Sequence, residues 1–451
     1  MRRLLVGLVS VVAVALLAAG STSARADTPT AQELTIAMSD GTQLACGLVL
    51  PAGAPPAGGW PGLLLFAGLG QAHSSMETLG TQTFAPAGFA SLTCDERGTG
   101  GSGGAFDLAG PQDVQDVRDL FAWLASRPDI SDTKIGALGF AIGGAEVWNA
   151  AVAGVPFEAI VPALTWTSLA RALTPGAVLK SQLLQTLSSL YPTVKWDPAL
   201  TAMRHDLLTK GITDGVVGAE LARSARDRLH SLNVPTLMIQ SRNDALFDLG
   251  QATAAFKLLA GPKRLYVGDP SRARTEVVDW FRGYLAGGKP PARGVELAHA
   301  PWDGTTTTFP NLPPTRHVVV NLPGPSKLAA GTTRRSVRLP GGPLETFGSG
   351  SVTIRYSGAS SAWKQFAALV SLKGGSEPIT QGAAPVTAAA GLVKIPLMNE
   401  AFLLPRGKRL MVRIGPREGL FTANTPPPGK RAITITRVTL SLSVLRRAVS
   451  R

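Results

Sequence analysis

Gly139-Phe140-Ala141-Ile142-Gly143-Gly144 is the stretch on which the reading of this chain turns. It closes Lys134–Phe140, an apolar run that reads as a buried strand, and opens Gly143–Ala153, a small-residue segment that reads as a helix. A strand that passes into a helix within one residue needs small neighbours on both sides of the apex, and glycine supplies them at 139, 143 and 144. The same alternation extends outward. Upstream, Gly62–Ala67 is a buried strand ending in Gly68-Leu69-Gly70, and Ala90–Asp95 is another, followed by the glycine-rich Arg97–Gly104. Val117, Leu120, Phe121 and Leu124 share one face of a helix over Val114–Ser126. Downstream, strands over Glu158–Thr165, Thr236–Ser241 and Arg264–Gly268 alternate with helices near Leu249–Leu259 and Thr275–Leu285. Such alternation predicts a mostly parallel sheet with helices on both faces. At the start, Asp40-Gly41 separates the β-prone runs Glu33–Ser39 and Thr42–Pro51, a strong hairpin signal.

Two further regions break the pattern. Residues 168–233, rich in Leu, Ala and spaced charges, read as a helical insertion over the carboxyl ends of the strands, where open α/β sheets bind ligands. Past Gly287-Gly288-Lys289-Pro290-Pro291 the helical spacing stops. Short β-prone runs at His317–Leu322, Val352–Tyr356, Phe366–Leu372, Leu392–Pro396, Arg409–Ile414 and Ala432–Val444 predict an all-β sandwich. The expected organisation is a leader over 1–26, an α/β domain over 27–290 with its insertion at 168–233, and a sandwich over 293–451.

The leader is expected from Met1-Arg2-Arg3, the apolar run Leu4–Ala19 and the small-x-small Ala24-Arg25-Ala26, which together read as a secretory signal cleaved before Asp27. The apolar run is shorter than the roughly 20 residues that span a bilayer, and an uncleaved anchor is the alternative. The mature protein is then secreted or associated with the cell envelope. The chain carries a net charge of +14; removing the leader takes away three arginines and leaves +11. A basic surface favours anionic envelope polymers. Basic runs interleaved with aromatics are missing, so a nucleic-acid partner is not expected. Five histidines (His73, His205, His230, His299, His317) and two cysteines are scattered without metal-type spacing, so neither a metal nor another cofactor is expected.

The strand–turn–helix context of residues 139–144 is that of a nucleophile elbow, but the motif Gly-x-Ser-x-Gly is here Gly-x-Ala-x-Gly. The backbone N–H of Ile142 stands where an oxyanion donor belongs, and the loop Phe66-Ala67-Gly68-Leu69-Gly70 offers Leu69 as the second. Asn243-Asp244 ends a later strand, where a triad acid belongs, with Asp248 a less favoured candidate. Gly268-Asp269-Pro270-Ser271-Arg272-Ala273 ends the last strand, where the histidine belongs. Taken with Asp95-Glu96-Arg97-Gly98-Thr99-Gly100-Gly101-Ser102, Trp166-Thr167-Ser168-Leu169 and Leu404-Pro405-Arg406-Gly407-Lys408-Arg409-Leu410, the chain resembles the X-prolyl dipeptidyl peptidase and cocaine esterase family of serine hydrolases. The resemblance implies an α/β-hydrolase fold with a helical cap and a C-terminal jelly roll. It also makes the strands that carry Cys46 and Cys94 neighbours, so that the two cysteines form either a cross-strand disulfide or a pair of buried thiols.

Carried over residue by residue, the nucleophile position is Ala141, the acid position Asp244 and the base position Arg272. Alanine has no atom that attacks a carbonyl, and arginine stays protonated and accepts no proton. His73, Ser102 and Ser271 are the nearest substitutes and read as loop residues with local hydrogen bonds. Asp244 reads as a structural carboxylate, with Arg272 as its expected partner. The sequence therefore points to a protein that keeps a cleft for a peptide, acyl or glycan ligand without turning it over. The alternatives are an active hydrolase with an unrecognised nucleophile and a structural envelope protein.

Overall fold

The computed structural model describes residues 28–450, except 329–330, 340, 362, 376 and 423–432. The leader expected over 1–26 lies outside the described residues. Among these, no helix is long and apolar enough to cross a membrane.

The hairpin forms as expected: β1 (Thr30–Ala37) and β2 (Gln43–Leu50) pair antiparallel, and Gly41 takes φ 84° in the turn between them. They open a ten-stranded sheet that continues with β3 (Trp60–Phe66), β4 (Ala90–Cys94), β5 (Ile130–Phe140), β6 (Ala159–Ala163), β7 (Thr236–Gln240), β8 (Lys263–Val267), β9 (Gly294–Ala298) and β10 (Thr306–Phe309), in the spatial order β1-β2-β4-β3-β5-β6-β7-β8-β9-β10. Every pairing from β4 to β9 is parallel. Strands buried on both faces need apolar side chains on both, and β3 shows the consequence. Leu64 and Phe66 join Leu120, Leu124 and Val147 on one side, while Leu63 and Leu65 join Phe84, Trp280 and Phe281 on the other. The helices are α1 (His73–Leu79), α2 (Pro111–Ala125), α3 (Ile142–Val152), α8 (Leu249–Leu258) and α9 (Arg274–Leu285); the insertion supplies α4 (Leu169–Leu173), α5 (Ser181–Leu190), α6 (Pro198–Thr209) and α7 (Asp214–Ala222). From β3 the chain moves to one side for β4 and to the other for β5. The carboxyl ends of β3 and β5 thus form the switch point at which such sheets hold their ligands.

One boundary moves. β9 pairs with β8 and β10 with β9, so the sheet continues to Phe309, past the division expected at 290–293. Proline–glycine punctuation marks an ordinary helix-to-strand connection as readily as a domain linker, and β9 is buried throughout. The sandwich proper begins with β11 (Thr315–Leu322). One sheet runs β11, β20 (Ile433–Leu445), β14 (Leu344–Ser357), β17 (Ala390–Glu400), with β12 (Ser326–Leu328) and β18 (Leu403–Leu404) at its margins. The other runs β13 (Thr333–Arg338), β19 (Arg409–Gly415), β15 (Gln365–Leu372), β16 (Pro378–Pro385). Val352, Ile354, Phe366, Val412 and Leu440 are among the side chains packed between them. β16, with its Gly and Ala, carries little strand signal. At Gly382 a side chain would meet the carbonyl oxygen of Pro396 at 1.9 Å, so close approach of the two sheets requires that glycine.

Candidate functional site

Ala141 sits at the apex between β5 and α3 with φ 51° and ψ −110°, a conformation that non-glycine residues rarely adopt. Packing holds it there. A side chain at Gly139 would meet the carbonyl oxygen of Gly143 at 2.1 Å, and one at Gly143 would meet that of Ala67 at 2.6 Å. The N–H of Ala141 donates to the Ala163 carbonyl at 2.9 Å, and that of Gly143 to the Ala67 carbonyl at 3.2 Å. The elbow is thereby tied to both flanking strands. A Cβ on Gly68 would lie 3.8 Å from that of Ala141, which brings the loop after β3 directly against the apex. Ile142 and Leu69 are both buried, in an apolar cluster with Trp166, Leu173, Leu184 and Met203 of the cap and the segment leading into it. Tyr191 of the cap lies so close over Gly70 that any side chain there would strike its ring. Ala141 itself stays partly exposed. The structure thus brings Ala141, Ile142 and the loop that carries Leu69 together.

At the acid position, Asp244 accepts the backbone N–H groups of Leu246 (2.8 Å) and Phe247 (3.0 Å) on one oxygen and the Gln240 side-chain amide (3.3 Å) on the other. Burial pushes its carboxyl up to about 6, opposed by those two N–H groups and by Lys180. The expected partnership with Arg272 does not form. The nearby cation is Lys180, from the cap. Its buried ammonium donates to the carbonyls of Ala245 (3.2 Å) and Leu246 (3.0 Å), and burial lowers its pKa. Glu400 of the sandwich accepts the Asp244 N–H at 3.2 Å, and burial raises its carboxyl well above the ordinary range. Asp248 caps α8 through the N–H of Gly250 and holds Asn399 of β17, so it is a structural joint. Lys180 and Glu400 escaped the reading of the sequence, because they come from 64 residues before and 156 residues after Asp244. The only local sign was a lysine inside the apolar run Ala177-Val178-Leu179-Lys180.

Arg272 occupies a short helical turn, Pro270–Ala273, after β8. Its side chain is 45% exposed, lies 3.5 Å from the carboxylate of Asp269 and stacks over the ring of Trp302 at 4.9 Å. These contacts are local and at the surface, which is why Arg272 does not reach Asp244.

The other candidates are engaged elsewhere. Ser102 Oγ donates to the Asp95 carbonyl at 2.7 Å and accepts the Ala45 N–H at 3.0 Å. Ser271 Oγ donates to Asp269. Arg97 grips Asp116 with two nitrogens and reaches Asp40 at 2.9 Å, so the glycine-rich loop fastens the first hairpin to α2. Both ring nitrogens of His73 face carboxylates, Asp95 at 3.0 Å and Glu33 at 3.1 Å. Cys46 and Cys94, opposite each other on β2 and β4, form a disulfide.

The elbow at Ala141, the loop carrying Leu69 and the cap over them form one apolar corner of the molecule; the methyl group of Ala141 offers no nucleophilic atom there, and the guanidinium of Arg272 accepts no proton. The sequence matches the profile of the X-Pro dipeptidyl-peptidase (S15) family over residues 40–271. Among solved structures, the chain is similar to a CocE/NonD family hydrolase from Staphylococcus aureus (13% identity, TM-score 0.70, 92% of this chain and 94% of that one). It is also similar to an aminopeptidase from a marine sediment Thaumarchaeota archaeon (13%, 0.71, 96% and 99%) and to an α-amino acid ester hydrolase (14%, 0.67, 96% and 99%). Identities this low speak for the fold, which these proteins share along nearly their whole length. Comparison with curated proteins found no match. The matched segment takes in the strand–elbow–helix unit, the whole cap and the loop of Asp244, over just more than half of the chain, and so the chain belongs to the X-Pro dipeptidyl-peptidase (S15) family, with an α/β-hydrolase fold.

Proposed function

We propose that this chain is an exported, non-catalytic member of its family that binds a peptide, acyl or glycan ligand at the switch point under the cap. The observation that carries the reading is Ala141 at the apex of an otherwise complete elbow. A carbonyl placed against the N–H groups of Ile142 and Leu69 would meet a methyl group, and no acyl-enzyme forms on a methyl group. Arg272, held by Asp269 and Trp302, has no free lone pair to act as base, and Ser102, Ser271 and His73 are all bonded elsewhere. Leu69, Ile142 and Trp166 belong to one buried apolar cluster beside the elbow, which favours a ligand with an acyl or apolar side-chain group. The Cys46–Cys94 disulfide supports export, since such bonds persist in oxidising compartments. The basic surface favours residence near anionic envelope polymers.

The test is turnover of an activated ester and an X-Pro anilide by the purified protein, with fluorophosphonate labelling, beside the Ala141→Ser/Arg272→His double variant. The expected result is no turnover above solvent and no label on the natural protein. Labelling of the double variant would show that the elbow still presents a serine correctly. A labelled peptide from the natural protein overturns the reading and identifies its nucleophile.

A further inference from the structure

His73 has no role in the site described above, yet its surroundings are unusual. It is the first residue of α1, and its Nδ1 lies 3.0 Å from Oδ1 of Asp95, a carboxylate that is 4% exposed. The same oxygen accepts the His73 backbone N–H at 2.7 Å, and the other accepts the N–H of Gly101 at 2.7 Å, so Asp95 is fixed from three sides. A carboxylate only accepts, so Nδ1 carries the hydrogen, and the lone pair or second hydrogen falls on Nε2. Nε2 in turn lies 3.1 Å from Oε2 of Glu33, and one carboxylate oxygen of Glu77 completes a group whose three atoms all lie within 4.8 Å of one another.

The backbone explains how three residues so far apart in sequence meet. Glu77 follows His73 by four positions on α1, which places both on one face of the helix. Glu33 on β1 stands opposite Gly47 on β2. A side chain at Gly47 would come within 2.8 Å of the Glu77 carboxylate, so the bare glycine opens the space into which Glu77 reaches. The disulfide braces both halves, because Cys46 adjoins Gly47 and Cys94 adjoins Asp95.

Two carboxylates gathered within 4.8 Å of one imidazole nitrogen favour a positive charge between them. A proton on Nε2 serves Glu33 and leaves Glu77 without a counterion, whereas a divalent cation serves all three atoms at once. We infer that His73 Nε2, Glu33 and Glu77 form a binding site for a divalent transition-metal ion of the zinc class, with Asp95 orienting the imidazole. One nitrogen and two carboxylate oxygens suit that class. Zinc bonds of about 2.0–2.2 Å put tetrahedral neighbours roughly 3.3–3.5 Å apart, close to the 3.1 Å that already separates Nε2 from Glu33, so only Glu77 has to draw in. The buried carboxylate behind the histidine is the arrangement that fixes the tautomer of a metal-bound imidazole. The fourth position opens to solvent on the Glu33 side, whose side chain is 72% exposed. With both cysteines joined in the disulfide, no thiolate competes for the ion.

The test is titration of the purified, oxidised protein with Zn2+ by calorimetry, and with Co2+ by visible absorption. The expected result is one equivalent bound. Glu33→Gln and Glu77→Gln should each weaken binding about tenfold or more and abolish the four-coordinate Co2+ band. His299→Ala, at a histidine that pairs with Asp303 elsewhere, should leave both unchanged. Glu33→Gln is a nearly isosteric change at an exposed strand position, so loss of the fold does not obscure the result. Absence of stoichiometric binding, or equal binding by the natural protein and both glutamine variants, overturns the inference.

Discussion

The elbow and the turn after β8 are held in place in different ways. At the elbow Ala141 carries only a methyl group, yet the backbone keeps the strained apex, because Gly139 is wedged against Gly143, Gly143 against Ala67 and Gly144 against Thr165, which leaves the chain one path. At the turn after β8 nothing comparable constrains the chain. Arg272 lies at the surface among Asp269 and Trp302, in a purely local contact. A turn whose backbone is also core packing is held to one path, whereas an exposed turn is held only by the contacts of its own side chains. The acid corner is intermediate: its carboxylate is present, but it stabilises its own loop and faces Lys180.

This contrast makes graded predictions. The largest effect is expected for Gly139→Ala, whose new methyl group meets backbone that cannot yield; thermal or denaturant unfolding should show a loss of about 3 kcal/mol or more, or no folded protein. A mild effect would break the claim that packing holds the elbow. Ala141→Gly should stabilise by about 1 kcal/mol, since relief of a positive φ outweighs the added freedom of the unfolded glycine. Destabilisation instead would mean that the apex is unstrained.

Asp244→Asn sharpens the intermediate case through pH. A carboxyl raised to about 6 from an ordinary 3.8 contributes its full stability below pH 3.8 and loses it as pH rises through 6. The natural protein should therefore lose stability across pH 4–6 relative to Asp244→Asn, read as diverging Tm values, and parallel curves would contradict the burial argument. The smallest effect belongs to Arg272→Ala. Loss of one exposed stacking contact should change stability by about 0.5 kcal/mol and leave any ligand binding unaltered.

Local chemistry made much of the architecture legible. Asp40-Gly41 between two β-prone runs specifies a hairpin whatever surrounds it, and the glycine spacing at 139–144 admits one kind of turn. The runs at 317–322, 352–356, 366–372 and 409–414 each lie within a strand of the sandwich. Less legible were β10, a polar edge strand of four residues, and β16, whose small residues make sense only against Pro396 of the facing sheet.

What the sequence by itself determined is covalent: alanine at 141 and arginine at 272 settle which atoms are available, and no folding changes that. What only the tertiary structure decided is which charges meet. Lys180 beside Asp244, Arg272 over Trp302 instead of Asp244, and His73 between Asp95 and Glu33 join residues up to 64 positions apart. Charge has no periodicity along a chain, and its partner is fixed by sheet order and strand register, which exist only once the core has packed.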